Sequence, residues 1–74
     1  MKNRISSSPN VCHGKPVIAG TRVLVSTILG ALAGGDSFEA ILEDYPNITH
    51  EDIAAALQFA SKLTNFQVGE YDAA

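Results

Sequence analysis

No tryptophan occurs in this chain of 74 residues, and cysteine and methionine occur once each. Cys12 has no second cysteine with which to close an intrachain bridge, so a small disulfide-stapled scaffold is excluded. A closed structural zinc site needs four ligands, whereas the soft candidates are Cys12, His13 and His50, so neither metal nor other cofactor is expected. No run approaches the roughly 18 apolar residues that cross a bilayer, and no membrane partner is expected. The basic start Met1-Lys2-Asn3-Arg4 leads into Ser6-Ser7-Ser8-Pro9-Asn10 instead of an apolar segment, which gives no support for a secretion signal. A lone thiol fits a reducing compartment, so a cytoplasmic location is expected.

Acids are missing from the entire first half. Residues 1–35 carry Lys2, Arg4, Lys15 and Arg22, a charge of +4, whereas residues 36–74 carry eight acids against Lys62, a charge of −7; together they give the net −3. Such a split predicts one surface for an anionic partner and another for a basic one, with an ordinary solvated surface as the plain alternative. What is abundant is apolar: 46% of the residues are hydrophobic. A single core is marginal at this size, and with disulfides and metal set aside, association remains. A homodimer sharing part of its core is expected.

One domain is expected over 1–74, mainly α, with an N-terminal β ribbon (1–25), a three-helix part (26–66) and a short acidic tail (67–74). Arg4-Ile5-Ser6-Ser7 reads as a short edge strand. Pro9-Asn10 and His13-Gly14-Lys15-Pro16 are turn chemistry, since glycine permits positive φ and proline fixes φ. Pro16-Val17-Ile18 and Arg22-Val23-Leu24-Val25 flank Ala19-Gly20-Thr21 and read as a hairpin, which needs helices or a second copy to cover it. Ser26 is the expected cap of a first helix through Ile28, Leu29, Leu32 and Ala33, ended by Gly34-Gly35; with Gly30 and Ala31 on its sides it should be buried on several faces. A second helix starts at Asp36, boxed with Glu39, or equally at Ser37. Phe38, Ile41, Leu42 and Tyr45 make its stripe, and Pro46 stops it. Thr49 caps a third helix with Glu51 and Asp52 in the first turn, where the helix dipole favours acids. Ile53, Ala56, Leu57, Ala60 and Leu63 form one stripe on it, and Ala55, Phe59 and Phe66 a second; one suffices for a core, so the other suggests a partner surface.

Catalysis has little support. A nucleophile needs a positioned base, and a general acid–base pair needs two groups facing one pocket. His50 reads as part of a solvated helix start and Cys12-His13 as a turn pair. Gly14-Lys15 fails as a phosphate loop, because positions 9 and 16 are both proline. Asn47-Ile48-Thr49 matches a glycosylation sequon, but Thr49 as a cap explains it better.

Two helices joined by Tyr45-Pro46-Asn47-Ile48-Thr49 resemble a helix-turn-helix, in which the later helix enters the major groove. Its outer face offers Glu51, Gln58, Ser61 and Lys62; Gln58 suits adenine and Lys62 a phosphate or guanine. Glu51 and Asp52 oppose that approach, so phosphate contacts are expected first from the ribbon's Lys2, Arg4, Lys15 and Arg22 and second from this helix. The alternative is a three-helix scaffold without a nucleic-acid role. For Arg22 the structural expectation, an ion pair with an acid of the helical half such as Asp44, stands ahead of a phosphate contact.

Two blocks carry a family resemblance. Gly14-Lys15-Pro16-Val17-Ile18-Ala19-Gly20-Thr21-Arg22-Val23-Leu24-Val25 resembles a signature of domain-of-unknown-function family 433, as does the run from Gly35-Asp36-Ser37-Phe38 through Tyr45-Pro46. Ile48-Thr49-His50-Glu51-Asp52-Ile53 continues the likeness, which extends from Ile5 to Lys62. Ala19 departs from the family's frequent arginine and removes a positive charge. The resemblance implies a homeodomain-like helical fold behind a small β segment. It also implies an antitoxin-like role in a type II toxin–antitoxin pair, opposite a PIN-like ribonuclease toxin, and no catalytic residues. On that view the ribbon holds operator DNA weakly as a dimer. Phe59, Phe66, Glu70, Tyr71 and Asp72 dock on the toxin, with acids occupying its cationic RNA groove. The competing expectations are a transcription regulator without a toxin and a purely structural interaction domain.

Overall fold

The computed structural model of the protein describes residues 4–65. Two short strands, β1 (Ile5–Ser6) and β2 (Val17–Ile18), precede helices α1 (Val25–Ala33), α2 (Phe38–Asp44) and α3 (His50–Asn65). This is the expected order: a β ribbon, then three helices.

The strands pair antiparallel with Ile5 opposite Ile18 and Ser6 opposite Val17. The Ala19 N–H extends the ladder to the Arg4 carbonyl at 2.7 Å. On β2's other side pairing is reduced to one bridge between Val17 and Leu24. The hairpin expected around Ala19-Gly20-Thr21 therefore has its turn but lacks a second strand, because the chain turns helical at Val25. The turn itself is tightly held. Gly20 takes a φ of +80°, and the Thr21 N–H reaches the Ile18 carbonyl at 3.0 Å. The Thr21 hydroxyl donates to the same carbonyl at 2.8 Å and accepts from the Val23 N–H at 2.9 Å.

Helix α1 begins without the expected cap. Ser26 is exposed and lies inside the helix, while Leu24, still extended, occupies the cap position with no side-chain bond. The ribbon substitutes: the first helical N–H, that of Val25, bonds to the Pro16 carbonyl at 3.0 Å. At the far end Gly35 (φ +101°) closes a two-bond stop, with its own N–H on the Leu32 carbonyl and that of Asp36 on Ala31, each at 3.0 Å. The helix buries one side only, through Val25 and Ile28 with Leu29, Ala31 and Leu32 half-buried. Gly30 and Ala33 are exposed, contrary to the expectation of burial on several faces.

Of the two caps open for α2, Ser37 is used; its hydroxyl accepts the Ala40 N–H at 3.1 Å. The expected stripe faces inward, with Ile41 buried and Phe38, Leu42 and Tyr45 packed against the core. The helix stops at Asp44, two residues before Pro46.

Helix α3 is locked at its start. The Thr49 hydroxyl accepts the Asp52 N–H at 3.2 Å, and the Asp52 carboxylate accepts the Thr49 N–H at 3.0 Å, a reciprocal box. Ile48 before the cap and Ile53 after the first turn are both in the core and staple the chain's approach. The core of Ile18, Val23, Val25, Ile28, Ile41, Ile48, Ile53 and Ala56 thus draws on the ribbon and all three helices.

The two stripes expected on α3 are redistributed. Ile53 and Ala56 are buried and Phe59 packs on the core, whereas Leu57 and Leu63 are 43% and 62% exposed. The inward line runs 52/53, 56, 59/60, which turns Leu57 to the flank. Leu63 lies near that line but in a last turn, Ser61–Thr64, that is exposed throughout. Phe66 lies outside the described residues. No described helix is long and apolar enough to cross a membrane.

Candidate functional site

The ribbon has two faces, and its register decides what each does. Ile18 points to the helices and joins the core. Val17, one residue earlier, must point the other way. It is nonetheless only 2% exposed, because the loop from β1 returns over it. That loop is a chain of turns: Val11 N–H to Ser8 carbonyl at 3.0 Å, Gly14 N–H to Val11 carbonyl at 3.0 Å, Lys15 N–H to Cys12 carbonyl at 3.2 Å. Its centre is left-handed at three successive residues, Cys12 (φ 50°), His13 (59°) and Gly14 (82°). Only the last is glycine, and a residue with a Cβ costs about 1–3 kcal/mol there. The Cys12 thiol donates to the Arg22 carbonyl at 3.6 Å and ties the loop to the ribbon turn.

Between loop and turn lies an open groove of about 400 Å³ lined by Ser6, Ser8, Val11, Val17, Gly20, Thr21 and Arg22. No acid lines it. Arg22 is exposed, and its guanidinium makes no hydrogen bond or ion pair among the described residues. The expected pairing of Arg22 with Asp44 is therefore not formed. The ribbon cation that reaches the helical half is Arg4, whose Nη1 lies 3.1 Å from the Asp52 carboxylate. The reason is topological: Arg4 adjoins β1, which packs against α3, whereas Arg22 sits past the turn on the outer rim.

The residues singled out for phosphate contact therefore part company. Arg4 is engaged within the chain. Lys15 and Arg22 are exposed on the ribbon, and Gln58 and Lys62 are exposed on α3 together with Glu51 and Ser61. Lys2 lies outside the described residues. Of the residues expected at a protein partner, Phe59 is half-buried against the core. Phe66, Glu70, Tyr71 and Asp72 lie outside the described residues. The groove lining of Ser6, Ser8, Val11 and Val17 escaped sequence reasoning, although the in–out alternation of Val17 and Ile18 carries its signal. Asp52 escaped too, read only as one of two first-turn acids. Its spacing from Thr49 was the available sign of a box. Among the described residues no group of three or more His, Cys, Asp or Glu is placed to hold a metal.

With this geometry in hand the relatives are informative. The family profile described as "Protein of unknown function (DUF433)" matches residues 5–60, from β1 to the half-buried Ala60 of α3. The chain belongs to the DUF433 family. It is similar to a DUF433 member from Anabaena variabilis whose crystal structure is known at 2.00 Å. That likeness has a TM-score of 0.80 at 30% identity and covers 93% of this chain and 68% of the other. It is also 39% identical over 56 residues to "Uncharacterized protein y4eO" of Sinorhizobium fredii, over 76% of this chain. The matched segment spans only 25% of that relative's length, so this chain corresponds to about a quarter of it.

Proposed function

We propose that this DUF433 chain is a non-enzymatic binding module: an antitoxin-like unit that neutralises a PIN-like ribonuclease toxin and holds operator DNA as a homodimer. The observation that carries the DNA-holding half is Arg22. Its guanidinium is exposed and uncommitted among the described residues, on a turn whose backbone is fixed by the Thr21 side chain. A cation held on a rigid turn, in a half of the chain that carries no acid, suits phosphate oxygens. Lys15 adds charge from the neighbouring loop, and pairing two copies doubles both. The toxin-facing half rests on the family likeness and on the acids of the tail, Glu70 and Asp72, which suit the cationic groove of a ribonuclease.

Co-expression with the PIN-like protein from the same host, followed by assay of its ribonuclease activity, tests the toxin half. The expected outcome is a stoichiometric complex and lost ribonuclease activity, with neutralisation abolished when residues 64–74 are deleted. Full neutralisation by that truncated chain removes the tail from the account. For the DNA half, duplex affinity should fall steeply with salt. Arg22→Gln should reduce the slope by about one per subunit.

A second reading, a transcription regulator with no toxin, is favoured by the exposed Gln58 and Lys62 on α3, which follows α2 across a short link. It predicts that Gln58→Ala alters sequence preference, by about 1–3 kcal/mol at one base pair.

A further inference from the structure

We propose that the groove on the ribbon's outer face binds one nucleotide unit, with its phosphate on Arg22 and its sugar or base face over the half-buried Val11. This rests on the DNA-holding reading above and gives it an address away from α3. The groove is open to solvent, so a ligand would lie along it and be held from one side. The lining divides by chemistry. Arg22 supplies a planar fork that matches two phosphate oxygens. The half-buried Val11 supplies an apolar edge beside it, with the buried Val17 closing the floor behind.

The hydroxyls are not equivalent. That of Thr21 is spent within the turn, donating to the Ile18 carbonyl and accepting from the Val23 N–H. That of Ser8 accepts from the Asn10 N–H at 3.3 Å and keeps its proton, and that of Ser6 is uncommitted among the described residues. Two donors therefore face a ligand rich in acceptors. Gly20 forms a lip where a Cβ would meet nothing within 4 Å, so a ligand can approach the backbone closely. The walls are already ordered. The turn is held by Thr21, the loop by its successive turns, and the two are joined by Cys12 and the Arg22 carbonyl. Little ordering is left to oppose binding.

The source of the nucleotide, a strand of DNA or a free nucleotide, is separated by experiment. The nitrogen-labelled full chain is titrated at low salt with a nucleoside monophosphate, the matching nucleoside, inorganic phosphate and a DNA duplex, and its amide signals are followed. The monophosphate should give saturable shifts at Ser6, Val11, Gly20 and Arg22. Inorganic phosphate should bind there more weakly and the nucleoside not at all. Arg22→Lys, which keeps the charge and loses the fork, should weaken the monophosphate about tenfold, and Ser6→Ala with Ser8→Ala a further few-fold. Groove amides that do not move, or equal binding of phosphate and monophosphate, would overturn the proposal. Duplex binding that leaves the groove still and survives Arg22→Gln overturns it while the DNA reading stands. Monophosphate binding in the groove with no duplex binding defeats the DNA reading and leaves a free nucleotide as the ligand. Arg22 is exposed and its side chain makes no hydrogen bond or ion pair among the described residues, so its variants should fold.

Discussion

Arg4 and Asp52 tie the two ends of the described fold together: the guanidinium beside β1 sits 3.1 Å from a carboxylate that also boxes the start of α3. One residue thus closes a helix cap and a ribbon–helix contact. The two tasks differ in weight. The Asp52 side chain is 11% exposed whereas that of Arg4 is 45% exposed, so the ion pair is partly screened. Losing the carboxylate removes the cap as well. Asp52→Ala should therefore cost about 1–3 kcal/mol and Arg4→Ala less than about 1 kcal/mol. Urea unfolding of both variants and of the double mutant checks the order. Additive losses would mean that the pair contributes no coupling of its own.

The glycines of α1 separate propensity from necessity. Gly30 lies in the exposed middle of the helix, and a Cβ there meets nothing within 4 Å. Gly30→Ala should raise stability by about 0.5–1 kcal/mol. Gly35, at φ +101°, holds the two-bond stop. Gly35→Ala should lower stability by about 1 kcal/mol or more, since an L side chain resists that conformation. Thermal melts of the two variants should shift in opposite directions.

Much of this fold is legible in the sequence, because its signals are local. Thr49 as a cap, Pro46 as a stop, the stripe of α2, the ribbon-then-helices order and the edge strand at Ile5–Ser6 all follow from nearest neighbours along the chain, whereas the choice of Ser37 over Asp36 as the cap of α2 is made only in the fold. What was hidden is tertiary. The start of α1 is satisfied by the Pro16 carbonyl, which is distant in sequence, so Ser26 looked like the cap. Arg4 rather than Arg22 reaches the helices because β1, not the later arm, lies beside α3. Val17 and Ile18 are equally apolar, and only the pleat tells which meets the core and which lines the groove. Of the candidate site, its one cation was visible, while its walls come from segments separated along the chain.

His13 offers a direct measure of how strongly the loop is held. Its φ of 59° is tolerated by histidine and asparagine better than by a branched side chain. His13→Asn should be close to neutral. His13→Val should cost about 1–3 kcal/mol and loosen the groove wall. Hydrogen exchange at the Gly14 and Lys15 amides, both bonded within the loop, is the sensitive readout. Unchanged protection in the valine variant would mean that the loop contributes little to the wall.

The sharpest test of the α3 assignment compares neighbours that sequence periodicity places on the wrong sides. By spacing alone Leu57 belongs to the core stripe and Phe59 to a second face. In the fold Leu57 is 43% exposed while Phe59 packs against buried side chains. Truncating Phe59 removes contacts with the core, so Phe59→Ala should cost about 2–4 kcal/mol, short of the full value for a wholly buried ring. Leu57→Ala should cost under about 1 kcal/mol and Leu63→Ser less still, because each removes a side chain already in contact with water. Ile53→Ala, at a position with 0% exposure, sets the upper end at about 3–5 kcal/mol and is read from the same denaturation series. The comparison should be run at several protein concentrations. A Leu57 or Leu63 variant that loses little when dilute but much when concentrated would show that a second copy covers that flank, since only an associating chain gains stability with concentration. Costs for Leu57 above those for Phe59 at every concentration would instead mean that α3 is rotated from the orientation described.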